Sequence, residues 1–320
     1  MKKYIIAILG LSICLSACGN STATMQEYQF MNVAKDSEQS FGSFGTLEPL
    51  AGDVAIVGDE SAYIDDKLTS KSGLIVDVTD RQVVFSKNAN ERIYPASVTK
   101  IMTAYLAFKY CNLDDIVTIT DDAMVTEAGS KLCYIKPGDK LTVRQLLNGT
   151  LVTSGNDCAA ALAVHISGSI DEFVKLMNSE AYALGAVNSH FVNPHGLHND
   201  DHYTTAYDLY LIFNQLIKYE EAKTIVNTTS YTTTYTLADG TSKEATWTST
   251  NKYLSGEYTI PDGITVIGGK TGYTDQAGYN LILLSNDAAG KSYISIVTGN
   301  SDYYTLYTNM STLLRKVTNN

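Results

Sequence analysis

Basic side chains are in the minority in this chain of 320 residues, where 23 Lys and Arg stand against 34 Asp and Glu and the net charge is −11. Because nucleic-acid phosphates call for a clustered basic face, this charge excludes nucleic acid as a partner. Proline is scarce, with 5 residues, and 44% of the chain is hydrophobic. This composition excludes a collagen-like, coiled-coil or wholly disordered chain and leaves a globular protein of one large domain or two small ones.

The N-terminal hydrophobic run is too short to span a bilayer, which takes about 20 residues. It covers residues 4–15, follows two lysines and ends in the small residues Ser16 and Ala17. A basic start, a short apolar run and a small-residue end are typical of an export signal. The sequence therefore predicts a signal peptide over residues 1–17.

The residues at the end of that run, Leu15, Ser16, Ala17 and Cys18, resemble the lipobox of bacterial lipoproteins. In a lipobox the cysteine is acylated and becomes the new N-terminus. The resemblance implies an exported protein, lipid-anchored through Cys18 at the outer face of the cell membrane and facing the cell wall. More than one acyl chain would anchor it stably, where a single chain is marginal.

The segment after the lipobox is polar and irregular as far as about residue 70. It predicts a lipidated, flexible tether over residues 18–70, whose root-mean-square reach is on the order of 40 Å. Apolar residues within it, at positions 54–57, can still pack on the domain. The folded domain is predicted over residues 71–320.

Cysteine is also scarce. Cys14 leaves with the signal and Cys18 takes the lipid, so Cys111, Cys133 and Cys158 remain in the folded part. An odd number permits at most one disulfide, which excludes a disulfide scaffold. No Cys-x-x-Cys pair occurs, and the three residues are expected to be small buried hydrophobes.

Alternating patterns near both ends of the predicted domain indicate β-strands. Residues 73–78 and 82–86 surround a turn and predict a hairpin. Residues 231–237 and 242–248 alternate around Asp-Gly and predict a second hairpin. Further strands are predicted over residues 264–267, 279–285 and 293–298.

Helix signals fill the middle of the chain. A mixed α/β (α+β) fold follows, with an antiparallel sheet built from both chain ends, flanked by helices, and a helical subdomain inserted between them. One helix is predicted to start at Pro95 and Ser97, and two others at the capping boxes of Thr142 with Gln145 and of Ser169 with Glu172. Asp157 is the predicted N-cap for residues 159–166, and Ser301 the predicted cap of a last helix to Lys316. A further helix is predicted over residues 205–219.

Three short motifs stand in order along the domain. They are Ser-x-x-Lys at residues 97–100, Ser-Gly-Asn at residues 154–156 and Lys-Thr-Gly at residues 270–272. Any one alone is common on a surface helix, in a turn or in a loop. Together, at a helix start, between two helices and at a strand end, they match the signature set of β-lactamases and penicillin-binding proteins.

The residue types suit covalent catalysis by serine. A serine hydroxyl is a poor nucleophile without a base, and Lys100 lies one helical turn beyond Ser97 on the same face. That lysine must be neutral to act, so burial and a neighbouring cation, for which Lys270 is the candidate, must lower its pKa. The N–H of Ser97 at the helix start can form half of an oxyanion hole, and the N–H of Tyr273 the other half.

More extended segments resemble the serine D-alanyl-D-alanine carboxypeptidases of the low-molecular-mass penicillin-binding protein family. The resemblance covers about residues 70–300, nearly the whole predicted domain. Its segments are YPAS at 94–97, IKPG at 135–138, FVNPHGL at 191–197, HYTTAYDL at 202–209, TNK at 250–252 and GKTGYT at 269–274.

The resemblance implies a β-lactamase/transpeptidase-like fold and an enzyme that removes the terminal D-Ala from peptidoglycan pentapeptide stems through an acyl-enzyme. It implies no cofactor and no metal, and covalent binding of penicillin. Carried over by motif, Ser97 is the nucleophile, Lys100 its base and Ser154 the proton relay to the leaving amine. The substrate-binding residues are Asn156, which anchors the acyl-side amide, and the strand residues Lys270 and Thr271, which bind the terminal carboxylate, with Gly272 and Tyr273 beside them.

Many relatives carry a second β-rich domain and an amphipathic C-terminal membrane helix, whereas this sequence ends soon after its last predicted helix. The lipid on Cys18 is therefore expected to make the membrane connection.

A histidine-rich segment offers a competing metal site. His195, His198 and His202, with Asp200 and Asp201 between them, are ligand types that Zn²⁺ prefers. The spacing is not the helical His-x-x-x-His pattern, the segment is loop-like, and it overlaps the resemblance. We expect structural polar contacts there and no metal. A Ser-His-Asp triad is favoured less than the metal site, because no Gly-x-Ser-x-Gly elbow occurs.

Two other functions stay open from the sequence. One is another enzyme on the same fold, either a β-lactamase or a D,D-endopeptidase. Class A β-lactamases need an added Glu for deacylation, and no Glu-x-x-Leu-Asn occurs between Asn156 and Lys270. The other is a catalytically silent lipoprotein that binds the cell wall, against which the complete set of catalytic side chains argues.

Overall fold

The computed structural model of the protein describes residues 54–58 and 65–318. The predicted signal peptide, Cys18 and most of the predicted tether lie outside these residues. Within the tether range, Ala55 is buried and its carbonyl accepts a hydrogen bond from the Tyr207 hydroxyl at 2.9 Å. Lys87 Nζ donates to the carbonyls of Leu68 and Ser70 at 2.7 and 2.9 Å. At these points the chain packs on the domain.

Nine strands and seven helices form the regular structure of the described residues. The strands are β1 (Ser72–Asp77), β2 (Gln82–Lys87), β3 (Ile116–Thr118), β4 (Lys140–Thr142), β5 (Ser230–Thr236), β6 (Ser242–Thr248), β7 (Ile264–Thr274), β8 (Gly278–Asp287) and β9 (Ser292–Asn300). The helices are α1 (Lys100–Tyr110), α2 (Val143–Leu151), α3 (Asn156–Ser167), α4 (Ile170–Ala183), α5 (Ala206–Leu216), α6 (Glu220–Val226) and α7 (Tyr303–Thr318).

The main sheet is assembled from the two ends of the described chain, as the sequence predicts. Its strand order is β2-β1-β9-β8-β7, and every neighbouring pair is antiparallel. Strand β7 lies at the edge and is much longer than predicted, because it continues through the Lys-Thr-Gly motif to Thr274. The third motif therefore lies near the end of this strand, as predicted, but the strand reaches further along the chain.

A second sheet, of order β3-β4-β5-β6, was not predicted. The predicted β5–β6 hairpin is confirmed, but the sequence does not separate it from the main sheet. Strands β3 and β4 have three residues each, which is too short for an alternating pattern to stand out.

Two predicted caps are wrong and two are confirmed. Thr142 and Gln145 form a complete capping box on α2, and the Ser169 hydroxyl accepts from the Glu172 amide at the start of α4. Asp157 is not the N-cap of α3. Gly155 holds that position, and Asp157 lies in the first turn.

The last helix is capped by the residue after the predicted one. Asp302 Oδ1 accepts from the amide of Thr305 at 2.7 Å, and the Ser301 hydroxyl donates to the Asp302 carboxylate. Aspartate accepts hydrogen bonds at a helix start as readily as serine does. Helix α6 was not predicted.

Apolar residues of the main sheet face two separate layers of the core. In β8, Leu281 and Leu283 pack in the cluster that contains the buried face of α7. Ile282 and Leu284 point the other way, into the large cluster formed with α1, α2, α3 and α5. This alternation is the period of two expected for a strand buried on both faces. The sheet therefore holds α7 on one side and the helical region on the other.

Among the described residues, no helix has both the length and the apolar composition to cross a membrane.

Candidate active site

Ser97 lies in a short 3-10 turn, Ala96–Thr99, that leads directly into α1. The helix start was predicted, but its first turn is 3-10 rather than α. Ala96 has φ 49°, a left-handed conformation that is strained for a residue with a side chain. Gly196, with φ +87°, lies against it so closely that a β-carbon there would be 1.8 Å from the Ala96 carbonyl oxygen. Only glycine fits where this loop supports the turn.

Lys100 reaches back from the first residue of α1 into the centre of the site and is fully buried. Its Nζ lies 3.0 Å from Ser97 Oγ, 2.6 Å from Asn156 Oδ1 and 2.7 Å from the carbonyl oxygen of His195. The last two partners can only accept hydrogen bonds, whereas the serine hydroxyl can also donate one. A neutral amine has two hydrogens and one lone pair. It can donate the two hydrogens to Asn156 Oδ1 and the His195 carbonyl and accept the Ser97 hydroxyl proton with the lone pair.

Burial lowers the pKa of Lys100 well below its ordinary value, and the positive charge of Lys270 lowers it further. These are the two causes expected from the sequence. Both act against the charged form, because removal from water disfavours a charge and a second cation repels it. The site therefore favours the neutral amine that a general base requires.

Ser154 and Lys270 form a second buried pair beside the first. Lys270 Nζ donates to Ser154 Oγ at 2.9 Å and to the carbonyl of Thr271 at 2.7 Å. Ser154 follows α2 and has φ 71°, a second left-handed residue in the site. Burial lowers the pKa of Lys270 to about 7, with a smaller contribution from the charge of Lys131. Lys270 therefore changes its charge close to neutral pH.

Asn156 begins α3 and joins three parts of the site. Its side-chain Oδ1 accepts a hydrogen bond from Lys100, and its backbone amide donates to the carbonyl of Lys131 at 2.8 Å. The neighbouring Asp157 is buried, and its carboxylate accepts the amides of Cys133 and Cys158 at 2.9 Å and of Ile135 at 3.3 Å. These bonds hold the segment at residues 131–135 against the start of α3.

The edge strand β7 carries the third motif past the serine. A β-carbon at Gly272 would lie 2.8 Å from the Pro95 carbonyl oxygen and 3.0 Å from the Ser97 amide nitrogen, so glycine is what allows this approach. Thr271 Oγ1 is 2.6 Å from the hydroxyl of Thr250. Tyr273 is 47% exposed, and its hydroxyl donates to Asp275.

Several supporting residues were missed by the sequence interpretation. Asn280 of β8, opposite Gly272, donates from Nδ2 to the carbonyls of Tyr94 at 3.0 Å and Pro95 at 3.2 Å. Thr103 of α1 donates to the carbonyl of Pro194 at 2.6 Å. Asn280 lies only eight positions after Gly272, the last residue of the Lys-Thr-Gly motif. Its role nevertheless depends on a contact between distant segments, which no local pattern reveals.

The three histidines of the candidate metal segment have separate partners. His195 supplies its backbone carbonyl to Lys100. His202 Nδ1 accepts from the Val192 amide, so its Nε2 carries the hydrogen and donates to the Thr99 hydroxyl at 2.8 Å. His198 pairs with Asp200 at 3.3 Å. The His195 imidazole accepts from the Leu197 amide at 3.3 Å through Nδ1. All three imidazoles thus make polar contacts within the loop, as the sequence interpretation expects.

The structure brings the eight predicted catalytic and substrate-binding residues together. Ser97, the nucleophile, lies beside the buried amine of Lys100, for which the site favours the neutral form. The Ser154 hydroxyl lies beside Lys270, which can carry a positive charge near neutral pH. Such a pair of sites can take a proton from one oxygen and deliver a proton to a leaving group nearby. The arrangement suits acyl transfer through a serine ester.

Known proteins are similar to this chain in sequence and in fold. The D-alanyl-D-alanine carboxypeptidase family profile matches residues 59–302. The D-alanyl-D-alanine carboxypeptidase DacF of Bacillus subtilis is 37% identical over 218 residues, which are 66% of this chain and 53% of DacF. DacA of Escherichia coli is 34% identical over 243 residues, which are 73% of this chain and 57% of DacA. The chain spans about half the length of these curated relatives.

Solved structures agree. The DD-transpeptidase of Streptomyces K15 superposes with a TM-score of 0.70 at 30% identity, covering 79% of this chain and 96% of that one. The D-alanyl-D-alanine carboxypeptidase DacD of Francisella tularensis gives a TM-score of 0.67 at 27% identity, covering 82% of this chain and 75% of that one. The predicted transpeptidase-like fold is confirmed.

Proposed function

This chain belongs to the D-alanyl-D-alanine carboxypeptidase family, and from that premise we propose that it is a serine D,D-carboxypeptidase that removes the terminal D-Ala from peptidoglycan pentapeptide stems. One observation carries the proposal. Lys100 Nζ is buried within hydrogen-bond reach of Ser97 Oγ, and its other two partners are an amide oxygen and a backbone carbonyl oxygen. A lysine held in this way acts as a base rather than as an ion-pair partner.

Acylation begins with Ser97. Its hydroxyl proton passes to the lone pair of neutral Lys100 while Oγ attacks the carbonyl carbon of the penultimate D-Ala. Negative charge then develops on the carbonyl oxygen, where backbone N–H groups stabilise it most effectively. We assign this role to the amides of Ser97 and Tyr273, and the close approach of Gly272 to the Ser97 amide nitrogen supports the assignment.

Departure of the terminal D-Ala needs a proton on its nitrogen and an anchor for its carboxylate. Ser154 can donate its hydroxyl proton to that nitrogen and be reprotonated from Lys100, which completes the transfer. Lys270 has a hydrogen left after its bonds to Ser154 and Thr271, and a cation there suits a carboxylate. The Thr271 hydroxyl is the second donor to that carboxylate, and Asn156 Nδ2 holds the acyl-side amide.

Deacylation returns the enzyme to its starting state. Once D-Ala has left, water enters the vacated position and attacks the ester, and Lys100 takes the proton of the water. The ester bond to Ser97 then breaks, and Lys100 returns the proton to Ser97 Oγ. A β-lactam would acylate Ser97 in the same way, but its leaving nitrogen stays tethered and blocks that approach. Slow deacylation would make the drug a covalent inhibitor and separates this proposal from a β-lactamase.

Transpeptidation is the second candidate function. It is favoured by the likeness to a protein named a DD-transpeptidase, whose whole length this domain nearly covers. Transfer would need an amine in place of water at the same ester. Both functions share the acyl-enzyme and differ only in the acceptor.

Location and domain organisation are part of the proposal. An export signal over residues 1–17, a lipid on Cys18 and a tether would hold the catalytic domain at the outer face of the membrane, next to peptidoglycan. The substrate is found there, and the lipobox sequence supports the anchor.

The test is D-Ala release from a purified pentapeptide by the full chain, with and without an acceptor amine. We expect one free D-Ala per stem over many turnovers and a tetrapeptide product. Ser97→Ala is the matched control and should release none. Rapid, repeated penicillin hydrolysis without D-Ala release would reject the proposal in favour of a β-lactamase. Release of D-Ala only when the amine is present would make the protein a transpeptidase.

A further inference from the structure

Two buried thiols lie directly behind the Ser-Gly-Asn motif, and the catalytic steps do not use them. Cys133 belongs to the segment that leads to β4, and Cys158 to the first turn of α3. Both are buried as free thiols, and their sulfurs and a carboxylate oxygen of Asp157 lie within 4.8 Å of one another. Cys111, the third described cysteine, lies after the end of α1 and is outside this group.

The backbone already holds the two cysteines side by side. A single oxygen, Asp157 Oδ1, accepts the amides of both Cys133 and Cys158 at 2.9 Å. The Asn156 amide adds a bond to the carbonyl of Lys131. These bonds hold the two chain segments, and with them the two cysteines, next to each other.

Two glycines leave the space that the sulfurs occupy. A β-carbon at Gly149 would lie 2.5 Å from Cys158 Sγ and 3.0 Å from Cys133 Sγ, so both sulfurs border the same point. A β-carbon at Gly155 would lie 2.5 Å from Cys133 Sγ. The sulfurs therefore face one small space between α2 and α3. A disulfide needs the two sulfurs about 2.05 Å apart, and they already border this shared space within 4.8 Å of each other.

A bound metal fits this group less well. Structural zinc sites use four ligands, and only three are present among the described residues. The carboxylate of Asp157 also accepts three backbone amides, which a metal would compete with.

We propose that Cys133 and Cys158 form a disulfide in the exported protein. The inference rests on the export that is part of the proposed function, because disulfides persist outside the cytoplasm. The oxidant is an external disulfide, either a small molecule or a thiol oxidoreductase. One cysteine thiolate attacks it and releases the first thiol, and the second thiolate then displaces the other. Two electrons and two protons pass to the external disulfide, which becomes two thiols.

The bond forms before the domain closes. Burial raises the pKa of Cys158 well above its ordinary value, so in the folded protein this sulfur stays protonated and unreactive. During folding the thiols are exposed to the oxidant. Once formed, the bond is shielded from reductants by the same burial.

The disulfide fixes one wall of the active site. It joins the segment at residues 131–135 to the first turn of α3, where Asn156 holds Lys100. It also closes a chain loop of about 25 residues, which reduces the conformational freedom of the unfolded chain. We therefore expect oxidation to raise the melting temperature by about 5–10 °C for a domain of this size.

The test maps thiols on the full-length lipoprotein isolated from the membranes of cells that export it. The protein is denatured with N-ethylmaleimide and no reductant, and its peptides are identified by mass spectrometry. We expect one maleimide, on Cys111, together with a cross-linked peptide pair containing Cys133 and Cys158. After reduction all three cysteines should react. Reductant should also lower the melting temperature of the wild type and of the control Cys111→Ala.

Three labelled cysteines before reduction would overturn the proposal, and one bound zinc in the same sample would assign the pair to a metal instead. A disulfide that involves Cys111 would also overturn it. The mapping uses the wild-type protein and does not depend on whether a cysteine variant folds. It also does not depend on turnover, so absence of the bond and absence of D-Ala release are separate results.

Discussion

The side-chain nitrogen of Lys100 lies 3.0 Å from the hydroxyl oxygen of Ser97, and its two other partners can only accept hydrogen bonds. The lysine can therefore donate two hydrogen bonds to these partners, and its third position faces the Ser97 hydroxyl. Burial and the charge of Lys270 lower its pKa in the same direction. The geometry and the electrostatics agree on a neutral amine that takes the proton of Ser97.

Replacement of that amine by a permanent cation tests its role as the base. Lys100→Arg puts a permanent positive charge in the site, because a guanidinium cannot deprotonate near neutral pH. We expect acylation to slow by about 100- to 10,000-fold, the usual contribution of a general base. The rate of adduct formation with penicillin measures it, with circular dichroism as the check on folding. Wild-type rates in a folded variant would contradict the assignment.

The two lysines should give a bell-shaped pH profile of kcat/KM. Activity rises with pH as Lys100 loses its proton, because only the neutral form is a base. It falls again above about 7 as Lys270 becomes neutral and loses its attraction for the carboxylate. A bound carboxylate favours charged Lys270, so the falling limb should move to higher pH in kcat. A kcat/KM that only rises between pH 6 and 9 would contradict the role of charged Lys270 in binding the carboxylate.

Gly272→Ala tests the contact between β7 and the serine turn. The added methyl carbon would meet the Pro95 carbonyl oxygen at 2.8 Å and the Val98 amide nitrogen at 2.9 Å, so the strand has to move away. We expect acylation to slow by about 100-fold, as when one oxyanion donor is lost. Gly58→Ala is the matched control, since a β-carbon there meets nothing within 4 Å. Equal rates in the two variants would show that the approach of β7 is not needed.

Asn280 is expected to act as a positioning residue through the carbonyl of Pro95. Asn280→Ala removes both bonds to the segment before Ser97 and the bond that Oδ1 accepts from the Gly299 amide. We expect kcat to fall by about 10-fold or more, since small displacements of a nucleophile are costly, while KM changes little. A rise in KM at constant kcat would indicate a role in substrate binding instead.

Much of the site was predictable because its chemistry is carried by short motifs. Ser97 and Lys100 share a helix face, and that spacing alone places a base beside a nucleophile. The main sheet was predictable because β1, β8 and β9 are long enough to show their patterns. The second sheet was not, because β3 and β4 are too short.

Contacts between distant segments account for the other differences. Asp157 was predicted as a helix cap from its position before an apolar stretch, but it turns its carboxylate to the segment at residues 131–135. The partnership of Asn280 with Pro95, and of Cys133 with Cys158, likewise depends on tertiary structure. No periodicity within one segment contains that information.

The membrane anchor is tested by Cys18→Ser. The substitution removes the acylation site and leaves every described residue unchanged, so fold and D-Ala release should be retained. We expect the protein to appear in the soluble fraction or to remain as an unprocessed precursor, as shown by cell fractionation and immunoblotting. A variant that is processed and still sediments with membranes would contradict the lipobox assignment.

The most direct test of the serine acyl-enzyme is intact-protein mass spectrometry of the full chain after mixing with penicillin, followed by peptide mapping. We expect a mass increase of one penicillin per chain, located on Ser97 and persisting for minutes or longer, with none in Ser97→Ala. A pentapeptide under the same conditions should turn over without lasting label, because water can replace the departed D-Ala. An unlabelled Ser97, or an adduct on another residue, would contradict the mechanism.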